Sequence, residues 1–172
     1  MELLVADDLF DSYKDIFPGI RKDIEGKNVA KFLQKISQEG KKPITSFILA
    51  GHGGRSSKDG NAFTINSLSR LEKKPSFSRA QQKKGPIRCW FSVVATVMFS
   101  GCSSSSFAKQ FAREFMRKGT TVAGTNQPIG TFVHPVKGPR IVYGYSNDPK
   151  TQDLKENDYY SSKVWETFNG NL

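Results

Sequence analysis

Cysteine and histidine are scarce in this sequence, which has only Cys89, Cys102, His52 and His134. Without a Cys-x-x-Cys pair they cannot build a structural zinc site unless carboxylates complete it, so no metal is expected. A disulfide between the two cysteines is formally allowed. A chain of 172 residues needs no such staple, however, and free thiols in a reducing cytosol are the expectation. No apolar run reaches the ~20 residues of a membrane-spanning helix, and the acidic N-terminus lacks the basic and apolar zones of a secretory signal. The chain is therefore expected to be soluble, with no membrane span, and Met1 suggests an intact start. Repeats and long linkers are absent too, so residues 1–172 read as a single domain.

Acids are scarce in the middle of the chain. Residues 40–141 hold 17 Lys and Arg against only Asp59, Glu72 and Glu114, a local charge of +14 within a total of +10. Seven of those bases fall between Arg70 and Arg88. A lysine-rich solvated surface accounts for this, and so does a site for an anion: a phosphorylated ligand, an acidic segment, nucleic acid or an acidic membrane face.

An apolar share of 37 % with 13 Phe suits a packed core. Leu3–Ala6 is short and apolar enough for a first strand. Asn28 can cap a helix whose apolar stripe is Val29, Phe32, Leu33 and Ile36, ended by Gly40. Ile44–Ala50 reads as a strand buried on both faces, leading straight into Gly51-His52-Gly53-Gly54. Asn61–Ser67 adds a short strand or hairpin arm, and Arg70–Arg88 a helix followed by an exposed loop. Phe91–Ser100, rich in Val, reads as a second central strand ending at Gly101-Cys102. A serine-capped helix follows, with Phe107, Ala108, Phe111, Ala112, Phe115 and Met116 on its apolar face. Arg117 and Lys118 are expected in its last turn, with Gly119 as the stop. Thr120–Thr125 then completes a right-handed βαβ crossover, which implies an α/β fold around a mainly parallel sheet. Gly130–His134 and Arg140–Tyr145 look like a late hairpin. Val164, Trp165 and Phe168 suggest a last docked helix.

Functional groups in open α/β sheets gather at the carboxyl ends of strands. Two buried-looking strands here each end in a Gly followed by a reactive residue, His52 after one and Cys102 after the other. A thiol beside an imidazole is the minimal apparatus for nucleophilic acyl transfer. The helix N-terminus after Cys102 favours thiolate, and the amides of Gly53 and Cys102 can serve as an oxyanion hole. Taken alone, each residue has a plainer reading: Cys as a small buried hydrophobe, Gly-His-Gly as a turn. His134, before Pro135, and Cys89, inside Arg88-Cys89-Trp90, read as packing residues.

Phe47-Ile48-Leu49-Ala50-Gly51-His52-Gly53 and Met98-Phe99-Ser100-Gly101-Cys102-Ser103 resemble the histidine and nucleophile segments of the caspase-like cysteine peptidase clan. The local match is nearest to bacterial caspase-like domains and to the self-cleaving cysteine protease domains of large bacterial toxins. The resemblance covers about residues 44–126, and the separation of 50 residues from His52 to Cys102 is near the caspase spacing. The Gln-Ala-Cys signature of caspases is absent, so aspartate specificity is not implied.

What the resemblance implies is a caspase-like three-layer sandwich around a mainly parallel central sheet. It implies a Cys102–His52 dyad, Gly53 as oxyanion donor, and a protein or peptide substrate. It also suits a bacterial effector or toxin-type protease, working in the host cytosol if secreted. No cofactor is required. Related toxin domains are switched on by inositol hexakisphosphate in a basic pocket, and the +14 segment would suit such a polyanion or polyphosphate. Lys73, Lys74, Lys83, Lys84, Lys137 and Arg140 are candidates by charge. The rivals are a non-catalytic caspase-like protein-binding module and a basic binder of nucleic acid or phosphoinositide. Nucleic acid ranks lower, because Arg70–Arg88 carries only Phe77 as an aromatic for stacking.

Overall fold

The computed structural model describes residues 2–6, 21–23, 43–54, 62–64 and 91–171. The expected helices after Asn28 and within Arg70–Arg88 lie outside the described residues. The main sheet has six strands: β1 (Glu2–Ala6), β2 (Arg21–Asp23), β3 (Ile44–Ala50), β6 (Phe91–Ser100), β7 (Thr121–Thr125) and β11 (Trp165–Asn169). Their spatial order is β11-β7-β6-β3-β1-β2, parallel throughout except for the antiparallel β11. The α/β class and the mainly parallel sheet are therefore as expected.

Alternation along the central strands divides the core into two faces, as a period of two requires. Phe47 and Leu49 of β3, Val97 and Phe99 of β6, and Val122 of β7 all face one side. There they meet helix α1 (Ser105–Phe115) through Phe111, Ala112 and Phe115. Phe99 packs edge-on against both Phe107 and Phe111, with ring centroids 5.0 Å apart in each pair. Ile48, Ala50, Met98 and Ala123 face the other side. Their cover comes from a three-stranded antiparallel sheet: β8 (Ile129–His134), β9 (Gly138–Tyr143) and β10 (Lys155–Asp158), in the order β10-β9-β8. Ile141 and Tyr143 of β9 reach this second cluster, joined by Tyr159, Val164 and Trp165 from the C-terminal segment.

Three expectations are corrected. Val164, Trp165 and Phe168 do not mark a helix: residues 165–169 form β11, paired antiparallel with β7. In a strand, positions three apart face opposite sides, and Trp165 indeed joins the second cluster while Phe168 packs on the first. Helix α1 ends at Phe115, so Arg117 and Lys118 fall beyond it and Arg113 is the base of its last turn. Tertiary partners capture the chain there. The Asn171 amide donates to the Met116 carbonyl, and the Thr120 amide and hydroxyl both donate to that of Arg117. Gly119 does turn the chain, at φ 94°. Finally, Ser104 occupies the N-cap position, but its side chain caps nothing.

A second hairpin, β4 (His52–Gly54) against β5 (Ala62–Thr64), leaves the carboxyl end of β3 and pairs His52 with Thr64 and Gly53 with Phe63.

Candidate active site at the carboxyl edge of the parallel sheet

β3 and β6 are adjacent and parallel, and their last paired residues are Ala50 and Ser100. The Gly51 amide then donates to the Ser100 carbonyl over 3.0 Å, carrying the register one step past the ladder. His52 and Cys102 are therefore the next residues but one on two neighbouring strands, at the same edge of the sheet. Of His52 and Gly53 the backbone alone is described. Cys102 is a half-buried free thiol. Cys89 lies outside the described residues.

The turn that carries Cys102 is tightly specified. Ser103 adopts φ 52°, a left-handed conformation that costs a non-glycine residue about 1–2 kcal/mol. Its amide is satisfied by the Gln127 carbonyl at 3.1 Å. Ser104, buried, donates its hydroxyl to the Phe99 carbonyl at 2.6 Å and accepts from the Thr125 amide at 2.9 Å. The Thr125 hydroxyl, also buried, donates to the Gly101 carbonyl. Glycine at position 124 allows this approach, since a Cβ there would lie 2.6 Å from the Ser104 carbonyl oxygen and 2.8 Å from the Ala108 Cβ. From the opposite face Tyr159, fully buried, donates its hydroxyl to Ser100 Oγ at 2.8 Å. The indole of Trp165 fixes Tyr159 in turn through the Tyr159 carbonyl.

The Cys102 sulfur faces the start of β8. Sγ is 3.4 Å from the Ile129 nitrogen and 3.6 Å from its carbonyl oxygen. Within an antiparallel pair a residue's N–H and C=O point to the same side, so Ile129 turns both groups away from β9 and toward the thiol. By the same alternation Thr131 and Val133 present theirs along the outer edge of β8, where no strand pairs among the described residues. The Cys102 amide has no hydrogen-bond partner among the described residues.

Compared with protein-family models, curated proteins and solved structures, the chain matches none.

The remaining candidates separate cleanly. His134 accepts from the Val136 and Lys137 amides through Nδ1, both at 3.1 Å, and so serves the β8–β9 turn. Arg140 is paired with Glu156 at 2.8 Å, and Lys137 is exposed beside that turn. Lys73, Lys74, Lys83 and Lys84 lie outside the described residues. Among the described residues no helix is long and apolar enough to cross a membrane. The sequence reading missed Ser104, Thr125, Ile129 and Tyr159. Thr125 and Ser104 left a faint signal as polar residues flanking apolar elements, whereas nothing local ties Tyr159 to a residue 59 positions away.

Proposed function

We propose that this chain is a cysteine peptidase of the caspase-like clan, with Cys102 as nucleophile and His52 as general base. The observation that carries the reading is the register of β3 and β6, which end side by side and lead in two steps to His52 and Cys102. The outer edge of β8 adds a rail for an extended peptide, because the groups of Thr131 and Val133 on that edge face no strand among the described residues and follow directly on Ile129, which touches the sulfur.

In the proposed reaction the His52 imidazole takes the Cys102 thiol proton, and the thiolate adds to a peptide carbonyl. The tetrahedral oxyanion receives hydrogen bonds from the Cys102 amide, which has no protein partner among the described residues, and from Gly53. Collapse expels the amine, protonated by His52, and leaves a thioester on Cys102. Water, deprotonated by His52, then releases the acid and restores the thiol. The same reading takes the α/β fold to a caspase-like three-layer sandwich, with α1 on one face of the sheet and the second apolar cluster on the other.

The decisive test is hydrolysis of a fluorescein-labelled unfolded protein such as casein by the wild type, Cys102→Ala and His52→Ala. Turnover in the wild type that falls by about 10³-fold or more in both variants supports the dyad. Undiminished turnover in Cys102→Ala, or none in any of the three, leaves the protein-binding module as the better reading.

A further inference from the structure

The chain from the end of β7 to the start of β8 runs alongside the Cys102 turn and touches it at successive points. Gln127 accepts from the Ser103 amide, and Ile129 meets the Cys102 sulfur. At the head of this segment Thr125 makes two bonds, its amide to Ser104 Oγ and its hydroxyl to the Gly101 carbonyl. Proton accounting fixes the direction of each. Carbonyls only accept, so Ser104 spends its hydroxyl proton on Phe99 and Thr125 spends its own on Gly101. The contact of 3.4 Å between the two hydroxyl oxygens is then left without a proton to share, and the network has one arrangement rather than two.

The Gly101 carbonyl belongs to the peptide unit whose N–H is that of Cys102. A bond that fixes this carbonyl therefore fixes the plane of the amide unit and the direction of its N–H. We propose that Thr125 is a positioning residue for Cys102: its hydroxyl sets the Gly101–Cys102 peptide plane and so aims both the Cys102 amide and the sulfur.

This rests on Cys102 being the nucleophile. Thr125 touches no substrate; it acts through the turn. Loss of the hydroxyl should leave the fold in place, since valine matches threonine in shape and the position is fully buried. It should also free the peptide plane to rotate.

The test compares wild type, Thr125→Val and Thr125→Ser by two readouts. The first is amide hydrogen exchange at Ser103 and Ile129, with Val97 and Val122 of the core strands as references. The second is the rate at which Cys102 is captured by a panel of peptidyl acyloxymethyl ketones, set against capture by iodoacetamide, which needs exposure alone. In Thr125→Val, exchange at both amides should quicken at least about tenfold, with the references unchanged. Capture by the peptidyl probes should slow about 10- to 100-fold while iodoacetamide labelling stays near wild type. Thr125→Ser, which keeps the hydroxyl, should restore both.

Unchanged exchange overturns the proposal. Faster exchange with unchanged peptidyl capture also overturns it, and leaves the peptidase reading intact. A wild type whose Cys102 reacts with no member of the panel overturns the peptidase reading and the positioning role together. Should Thr125→Val not fold, Thr125→Ala removes the same hydroxyl with a smaller side chain and is read by the same criteria.

Discussion

The two ends of β6 are built from similar residues and behave differently. At the amino end the pairing with β3 slips. Ile44 faces Phe91, and the next pair is Ser46 with Thr96, so four residues of β6 stand against the single Thr45. Within that bulge Val93 and Val94 are 54 % and 70 % exposed. At the carboxyl end Val97 to Ser100 are all buried, and the chain continues into a turn held by Ser104, Thr125 and Tyr159. Phe-Ser-Val-Val and Val-Met-Phe-Ser have comparable strand propensity. What separates them is cover, because α1 and the C-terminal segment both converge on the second half. Burial and side-chain hydrogen bonds are concentrated where Cys102 leaves the sheet. Among the described residues the irregular pairing of β6 with β3 lies at the opposite end, away from that turn.

The sharpest way to break this contrast is to empty the carboxyl end. Phe99 is 1 % exposed and wedged edge-on between Phe107 and Phe111. Phe99→Ala should cost about 3–5 kcal/mol, measured as a shift in the urea midpoint at unchanged m-value. A loss below about 1 kcal/mol would mean that the α1 face repacks around the missing ring instead of holding its shape.

Gly124→Ala comes next. The added methyl would press on the Ser104 carbonyl and on Ala108, so either α1 must lift from β7 or the Cys102 turn must shift. The expected cost is about 1–3 kcal/mol by chemical denaturation, with peptidase turnover falling further than stability alone explains.

Tyr159→Phe removes one hydroxyl and no packing. The bond to Ser100 Oγ is buried, and about 1 kcal/mol should be lost in equilibrium unfolding. No loss would show that the C-terminal segment is held by the Tyr159 and Trp165 rings, 5.7 Å apart, rather than by this bond.

These same residues mark how far the sequence could be read. The bounds of β3 and β6, the helix between β6 and β7, and the β8–β9 hairpin follow from periodicity and breakers, which are local properties. So does the presence of a Gly before both His52 and Cys102. Apart from the Ser104–Phe99 bond, five residues apart, the partners of Ser104, Thr125 and Tyr159 are set by chain topology, with separations of 21 to 59 residues, and no local pattern encodes them. The strand at 165–169 was misread because apolar residues at 164, 165 and 168 satisfy a helical stripe as well as two opposite faces of a strand. Only its pairing with β7 decides between them. The bulge in β6 escaped for a related reason: nothing in Ser92-Val93-Val94-Ala95 announces that Thr45 alone will face it.

The smallest expected effect completes the contrast from the amino end. Val94 is the more exposed of the two bulge valines, and its side chain belongs to neither apolar cluster. Its amide donates to the Ser92 hydroxyl, at a long 3.4 Å. Val94→Thr keeps the β-branched shape and exchanges an exposed methyl for a hydroxyl that water can satisfy. Stability should therefore stay within about 0.5 kcal/mol of wild type, and turnover should be unchanged. The same Val→Thr exchange at Val97, which is fully buried on β6, places an unpaired hydroxyl in the α1 cluster and should cost about 1–3 kcal/mol. Matched denaturation curves for the two variants thus compare the ends of one strand by one chemical change. Equal losses would mean that the exposed bulge is covered in solution, and the two ends of β6 would then differ less in cover than their burial indicates.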